Sequence, residues 1–148
     1  MKVEQLYMTQ PDMLRSGHRV ACDSLECDPD GIIGDVNHGI PDKNLLLAVS
    51  TQSYDIIDAS DIVLDRGILM ENILVDFDID ALKPGTIIEI DDVLFEIIRP
   101  CKAFAYLYGF APELPELLEH KRGMFLRPLE EGQICIGSTV RIVQTPNE

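Results

Sequence analysis

Positively charged residues are scarce in this chain of 148 residues: 12 Lys and Arg stand against 26 Asp and Glu, and the formal net charge is −14. A chain this acidic is repelled by the phosphates of nucleic acids and by anionic membrane surfaces, so we expect neither as a partner. An anionic ligand would require several of the few cations to converge on one spot. The positions of those cations are therefore informative.

Long hydrophobic runs are also missing. No segment approaches the ~20 apolar residues of a transmembrane helix, and residues 1–10 lack the apolar core of a secretory signal peptide. We therefore expect a cytoplasmic protein whose four cysteines are reduced, without a disulfide framework. Repeats and low-complexity segments are absent as well, and a hydrophobic content of 46% predicts one globular domain over residues 1–148.

Short apolar runs predict mostly β-structure. A long loop rich in Asp, Gly, Pro and Asn is predicted over 28–44, and a shorter loop over 10–16. A mainly β fold, a closed or nearly closed β-barrel with a few short helices, accommodates this pattern best. The predicted strands are 1–9, 18–27 with a turn near 23–24, 45–49, 72–75, 86–90, 93–98, 123–127 and 138–143, and the predicted helices are 52–59 and 112–121.

The strands at 86–90 and 93–98 are the centre of the chemical interpretation. Because Pro100 cannot continue a central strand, it places Cys101 just past a strand end. A thiolate is both a nucleophile and a metal ligand, so Cys101 is the first candidate for a catalytic or metal-binding residue. The alternative is a buried apolar cysteine beside a hairpin.

Three cations near this point are candidates for binding the phosphate of an anionic cofactor, namely Arg99, Lys102 and Arg127. The first two also flank Cys101 and are expected to lower its pKa. For Arg127 an ordinary surface ion pair with one of the many acids is the simpler interpretation.

Asp35 and His38 lie in the glycine-rich loop. In the functional interpretation they line the mouth of the barrel, where they orient a cofactor or donate a proton. In the structural one, Asp35 bonds backbone N–H groups and His38 is solvated. Glu71 is expected to brace the loops, and Asn72 either satisfies backbone groups or contacts a cofactor edge.

Other candidates are weaker. Cys22, Cys27 and His18 raise the possibility of zinc, but their spacing is looser than in a zinc knuckle and no second ligand pair follows. Cys135 lies in an apolar run and is expected in the core. Four aromatic residues are close together in the sequence, namely Phe104, Tyr106, Tyr108 and Phe110. They are most simply part of the core or of an interface, and a lid over a ligand is the weaker option.

Several stretches in family order resemble a MOSC domain, the family named for the C-terminal domain of molybdenum cofactor sulfurases. The similarity is clearest over 31–143 and covers most of the chain. It is carried by Gly-Ile-Ile-Gly-Asp-Val-Asn-His-Gly at 31–39, the Glu-Asn pair that ends 67–72, the Leu-Lys-Pro-Gly turn and hairpin over 82–98, Arg-Pro-Cys at 99–101, and Arg-Gly-Met-Phe-Leu-Arg at 122–127 with 131–137.

The resemblance implies a β-barrel with short helices at its ends and a role in molybdenum cofactor binding or in sulfur transfer to that cofactor. Some members of the family reduce N-hydroxylated compounds, and small stand-alone members have been proposed as sulfur carriers. It implies that Cys101 is a persulfide carrier or a molybdenum ligand and that His38 is catalytic. Cofactor-binding positions would be Arg99, Lys102, Asn72, Asp35 and Arg127.

The sequence departs from the family pattern at Val36, where many members have Arg, at Met70, a common Gly, and at Phe104, where many have a second cysteine. A non-catalytic module that binds a pterin, a metal–sulfur precursor or a partner protein is therefore the alternative to a sulfur-transfer or cofactor protein. A plain β-barrel adaptor is a third option. A sulfur-transfer or cofactor protein predicts an exposed, reactive Cys101. The non-catalytic module predicts an unreactive Cys101 with a cofactor-sized cationic pocket, and the adaptor predicts no pocket. Because no flavin, haem or iron–sulfur motif is visible, a reductase would need electrons from another protein.

Overall fold

The computed structural model describes residues 1–9, 19–102, 107 and 109–146. Strands dominate this part of the chain, and a 3-10 turn over Ile79–Ala81 adds to two short α-helices. The elements in chain order are β1 Val3–Met8, β2 Val20–Cys22, β3 Ser24–Asp28, β4 Gly31–Ile32, β5 Leu46–Ser50, α1 Thr51–Ala59, β6 Ile73–Val75, β7 Ile87–Ile90, β8 Val93–Pro100, α2 Leu114–Leu117, β9 Met124–Pro128, β10 Gly132–Cys135 and β11 Val140–Gln144.

Eight of these strands form one curled sheet in the order β11-β7-β8-β9-β5-β6-β1-β2, and β10-β3-β4 form a second sheet. Only β5 and β6 pair in parallel among the described strands. The large sheet nearly closes on itself because the Val3 N–H donates to the Ser138 carbonyl at 2.9 Å and the Val140 N–H to the Met1 carbonyl at 2.8 Å. The expected mainly β, MOSC-like barrel with a few short helices is confirmed.

Period-2 alternation divides the apolar side chains between two clusters. The inner cluster fills the barrel with residues such as Ile88, Phe95 and Leu126. The outer cluster lies where α1 and α2 cover the opposite face of β5 and β6, and it includes Leu47, Val49, Leu74, Tyr54, Ile57, Leu114 and Leu118. Covered on both faces, β5 is buried at every position, which explains its continuous apolar run.

The helices differ from each other in how well the sequence predicts them. The Ser50 hydroxyl accepts a hydrogen bond from the Gln52 N–H at 3.0 Å and caps α1 as expected. The second helix is much shorter than the predicted 112–121. His120 has a positive φ of 64°, which a helix cannot contain, and the Ser53 hydroxyl donates to the Lys121 carbonyl at 2.5 Å. The chain therefore turns back toward the sheet after four helical residues.

Two strands were not predicted from the sequence. The short β4 lies inside the predicted loop at 28–44 and pairs with β3. β10 occupies a stretch in which we expected only turns beside an apolar run, and it also pairs with β3. The expected core position of Cys135 is wrong: Cys135 is exposed, and its neighbour Ile134 is fully buried. Strand alternation sends adjacent side chains to opposite faces.

Some predictions fall outside the described residues: the loop at 10–16, His18, Phe104, Tyr106 and Tyr108. The fourth aromatic residue of that group, Phe110, is described and is partly exposed. Within the described ranges, no helix is both long and apolar enough to cross a membrane.

Candidate functional site

Cys101 directly follows β8, as the sequence predicts. Its N–H donates to the Gly123 carbonyl at 2.8 Å, which continues the pairing of β8 with β9 by one residue. The thiol does not face open solvent. Cys101 is 6% exposed and belongs to the outer cluster under the helices.

Burial and three charged groups set the protonation of this thiol. Burial raises the pKa of Cys101 above its ordinary value of 9.0, the nearby charge of Arg122 lowers it, Asp80 raises it and Arg99 lowers it slightly. We expected Arg99 and Lys102 to be the activating cations. The larger cationic influence comes instead from Arg122.

Arg122 is almost completely buried, with 1% of its surface exposed. Its charge acts on a second buried group, Glu71, whose pKa is raised by burial and lowered by the Arg122 guanidinium. Glu71 Oε2 accepts hydrogen bonds from the Tyr54 hydroxyl at 2.5 Å and from the Gly67 N–H at 3.2 Å. A thiol, a guanidinium and a carboxyl are thus coupled beneath the helices.

The segment that carries Arg122 is fixed against the sheet by Gly123. A Cβ at Gly123 would lie 2.5 Å from the Ala48 carbonyl oxygen and 2.9 Å from Val49 Cγ2, and its φ is +104°. Asp80 Oδ1 accepts the Gly123 N–H at 2.8 Å. Sequence reasoning noted the Arg-Gly pair only as part of a motif, and no local pattern reveals that this arginine is buried.

The glycine-rich loop forms a separate site. Asp35, His38 and Asn72 line one pocket together with Arg19 and Lys43. Its free volume is about 10 Å³, which is about the space of one water molecule. Three of the residues proposed from the sequence therefore line one pocket, and its two cations were not among the proposed residues.

Both candidate residues of the loop, Asp35 and His38, make side-chain hydrogen bonds. Asp35 accepts the Thr9 N–H at 2.7 Å through Oδ1 and the Asn37 N–H at 2.9 Å through Oδ2, as in the structural interpretation. His38 Nε2 lies 2.9 Å and 3.0 Å from the two carboxylate oxygens of Asp28. This contact favours the tautomer with the proton on Nε2, and it clips the loop to the end of β3.

Asn72 joins three strands. Its Oδ1 accepts the Leu47 N–H at 3.0 Å, and its Nδ2 donates to the Tyr7 carbonyl at 3.2 Å. Asn72 is 2% exposed, so its amide is used mainly for bracing β1, β5 and β6.

The three cations expected at a cofactor phosphate, Arg99, Lys102 and Arg127, do not line the pocket of the glycine-rich loop. Arg99 and Arg127 lie on neighbouring strands, β8 and β9, and both are exposed, as is Lys102. The Arg99 guanidinium stacks 5.2 Å from the centre of the Phe125 ring. The structure therefore does not bring these cations together with Asp35, His38 and Asn72.

Zinc ligation finds no support in the described residues, where no three His, Cys, Asp or Glu groups cluster with the geometry of a metal site. Cys27 is fully buried in the inner cluster, and burial together with Asp28 raises its pKa to about 12. A thiol held neutral in this way is a poor metal ligand.

The residues expected at a molybdenum-bearing pterin do not converge on one pocket among the described residues. The loop pocket has room for about one water molecule, and Cys101 does not line it. The Cys101 thiol and the residues of the glycine-rich loop therefore lie at two separate sites.

These features define a β-barrel protein of the MOSC-like fold. The chain is similar to the YuaD protein from Bacillus subtilis, with 19% identity and a TM-score of 0.73 over 94% of this chain and 93% of that one. It is also similar to YiiM from Geobacillus stearothermophilus, with 15% identity and a TM-score of 0.72 over 97% of this chain and 75% of that one. For YiiM from Escherichia coli the values are 16% and 0.68, over 100% and 72%.

At these identities the likeness establishes the fold alone. No family model matches the chain, and no curated protein matches it.

Proposed function

We propose that this MOSC-fold protein is a sulfur carrier that holds sulfur as a persulfide on Cys101 and serves molybdenum cofactor metabolism. The observation that carries the proposal is the position of Cys101 at the end of β8, where its N–H is bonded to the carbonyl of Gly123, the residue after the buried Arg122. The charge of Arg122 lowers the pKa of the thiol against the effect of burial, and a thiolate is the nucleophile in sulfur transfer. The link to the cofactor comes from the sequence resemblance.

The proposed step needs no oxidant. The Cys101 thiolate attacks the outer sulfur of a donor persulfide, R–S–SH. A new S–S bond forms to Cys101, the S–S bond of the donor breaks, and the donor leaves as a thiolate. The same exchange in reverse passes the sulfur to an acceptor thiol: the acceptor thiolate attacks the outer sulfur on Cys101, and Cys101 leaves as a thiolate.

The burial of Cys101 means that the donor cannot reach the thiol in this conformation. Transfer requires the cover of the outer cluster to open, and α2 is the weakest described part of that cover because it has only four residues. We expect local opening of this cover to admit a small donor such as glutathione persulfide, and a sulfur-donor protein to open it faster.

The second candidate is a binding module without catalysis. It is favoured by the same burial, which raises the pKa of Cys101 and leaves the thiol 6% exposed. In that case Cys101 only fills space between the sheet and the helices.

A persulfide-loading experiment separates the two candidates. We would incubate the wild-type protein, Cys101→Ala and Cys135→Ala with glutathione persulfide, remove the reagent and measure intact and peptide masses. A sulfur carrier gains one sulfur atom on Cys101 in the wild type and in Cys135→Ala, but not in Cys101→Ala. Sulfur found only on the exposed Cys135 would overturn the proposal and favour the binding module. Molybdenum analysis of the same proteins, purified from a host that makes the cofactor, tests the cofactor-bound alternative.

A further inference from the structure

β10 is the outermost strand of the three-stranded sheet, and only one of its two edges is paired with a described strand. In the register with β3, Gln133 lies opposite Glu26. The Glu26 carbonyl accepts the Ile33 N–H at 2.8 Å and is therefore turned away from β10. Opposite residues of an antiparallel pair exchange either two hydrogen bonds or none, so the N–H and C=O of Gln133 point away from β3.

The residues that follow Gln133 agree with this orientation. The Cys135 N–H donates to Ser138 Oγ at 2.9 Å, and its carbonyl accepts the Ser138 N–H at 3.0 Å, both away from β3. The Ile136 N–H donates in the other direction, to the Asp23 carbonyl at 3.0 Å. Because Gln133 lies two residues before Cys135, its backbone groups are on the same edge, and no backbone hydrogen bond within the described ranges occupies them. An unpaired edge of this kind is a template for another strand.

This free edge borders a groove between the two sheets. The groove has a free volume of about 620 Å³, within the roughly 300–1,000 Å³ of ligand sites, and Gln133 and Cys135 line it. A smaller cavity of about 240 Å³ shares residues 131–133 with the groove and reaches the partly exposed side chain of Ile33. The two cavities adjoin along β10, which suits an extended ligand better than a compact one.

The groove is acidic. Its only cation is Arg141, and its carboxylates are Glu89, Asp91, Asp92 and Glu131. Glu89 already binds that cation, because Oε1 lies 2.7 Å from Nη2 and 2.8 Å from Nε of the guanidinium. Asp92 and Glu131 are exposed, and neither forms an ion pair with another described residue. The groove therefore attracts positive charge.

We propose that β10 is the docking strand for an extended, lysine- or arginine-rich segment of a partner protein. The segment pairs with the free edge at Gln133, and its cationic side chains lie against Asp92 and Glu131. In strand addition the main-chain hydrogen bonds supply affinity, and the side chains supply specificity. The proposal does not depend on sulfur chemistry at Cys101, so either can fail without the other.

Isothermal titration calorimetry tests the binding mode. The probe is a seven-residue peptide of alternating lysine and valine, acetylated and amidated at its ends. Spermine carries a similar positive charge without a peptide backbone, and the same peptide methylated at every backbone nitrogen cannot donate main-chain hydrogen bonds. The unmodified peptide should bind at least about fivefold more tightly than either comparison, and its binding should weaken as salt is added.

Alkylation locates the bound peptide. Cys135 lines the groove, whereas Cys22 lies on β2 and does not. Saturating peptide should slow the reaction of Cys135 with iodoacetamide at least about threefold and leave the rate at Cys22 unchanged. A rate at Cys135 that does not change, or equal protection of both cysteines, places the peptide elsewhere and overturns the proposal.

Two double variants test the charges. Asp92→Asn with Glu131→Gln removes two exposed carboxylates of the groove, and Asp55→Asn with Glu116→Gln removes two exposed carboxylates of the helices α1 and α2. The groove variant should bind the peptide roughly three- to tenfold more weakly at low ionic strength. The helix variant has the same net charge and should bind like the wild type.

Gln133→Pro tests the strand edge. Proline removes an N–H that the pairing with β3 does not use, so the variant should keep the urea midpoint of the wild type and bind the peptide at least about fivefold more weakly. If this variant does not fold, the methylated peptide decides. The proposal is overturned if millimolar peptide does not bind, if spermine or the methylated peptide binds as tightly, or if both double variants lose binding equally.

Discussion

Tyr54 on α1 and Glu71 before β6 form a buried hydrogen-bonded pair, in which the phenol donates to the carboxyl Oε2 at 2.5 Å. The same phenol oxygen accepts the N–H groups of Gly67 at 2.9 Å and Leu69 at 3.4 Å. Neither residue of the pair has any exposed surface. This pair ties the helix to the loop that enters β6.

Tyr54→Phe tests the energetic importance of this tie. The substitution removes the donor to Glu71 and leaves the Leu69 N–H without its acceptor, so we expect a loss of about 1.5–3 kcal/mol in the free energy of unfolding. Urea denaturation measures it. Tyr7→Phe is the matched control, because Tyr7 is also buried but is not the donor to Glu71, and it should change stability far less. Equal effects of the two substitutions would contradict the role of the pair.

The raised pKa of Glu71 makes stability depend on pH. Burial raises this pKa above its ordinary value of 4.5, so the folded protein holds a proton that the unfolded chain has already released. Stability is therefore highest below the unfolded-state pKa and falls as pH rises toward the folded-state pKa. Asp80, whose pKa is also raised by burial, acts in the same direction.

We expect Glu71→Gln to lose part of this pH dependence. The free energy of unfolding, measured by urea denaturation from about pH 4 to about pH 8, should fall less steeply for the variant than for the wild type. The variant also leaves Arg122 with less negative charge, so its stability at any one pH is not the readout. An unchanged slope would mean that Glu71 has an ordinary pKa in the folded protein.

Gly123 and Gly137 form a matched pair for a second stability test. Both have positive φ, +104° and +86°, but a Cβ at Gly123 would overlap the Ala48 carbonyl, whereas nothing lies within 4 Å of a Cβ at Gly137. Gly137→Ala should cost only the backbone strain, about 1–2 kcal/mol. Gly123→Ala should cost clearly more, about 4 kcal/mol or above, because the chain must move away from β5. Thermal unfolding of both variants gives the comparison, and similar losses would place residue 123 away from Ala48.

The sequence predicts best where local pattern and final environment agree. The hairpin of β7 and β8 is predicted almost to the residue because alternation is regular and Pro100 ends the strand. In the same way, the short continuous apolar run at 45–49 predicts the buried strand β5. The prediction failed at β10, whose four residues include Gly132 and lie between turns, so that only pairing with β3 makes them a strand.

The candidate site was predicted only in part, for a similar reason. A Gly-rich loop brings Asp35 and His38 together because they are close in sequence. The coupling of Cys101 to Arg122 and Glu71 depends on the position of residues far apart in the chain, which no local pattern encodes. The expected cation cluster of Arg99, Lys102 and Arg127 failed because exposed neighbours on strands were taken to converge.

Asn72→Ala should destabilise the protein although Asn72 lines a pocket. The amide satisfies the buried Leu47 N–H and the Tyr7 carbonyl, and leaving both unpaired should cost about 2–4 kcal/mol. The control is Asn44→Ala, which changes a half-buried side chain of the same pocket and should cost less than about 1 kcal/mol. Urea denaturation compares the two. A stability loss confined to Asn44→Ala would contradict the bracing role of Asn72.

The four cysteines should differ in reactivity in an order set by exposure and pKa. Cys135 is exposed, Cys22 is half-buried with a raised pKa, Cys101 is buried with a raised pKa, and Cys27 is fully buried with a pKa of about 12. Because each pKa unit lowers the thiolate fraction about tenfold, alkylation by iodoacetamide at neutral pH should reach Cys135 first and Cys27 only after denaturation in urea. Timed quenching and peptide mass spectrometry give the four rates. Cys101 is the informative position. Alkylation of Cys101 as fast as that of Cys135 would show that the cover over Cys101 opens readily without a partner. Protection close to that of Cys27 would mean that a sulfur donor must open the cover itself.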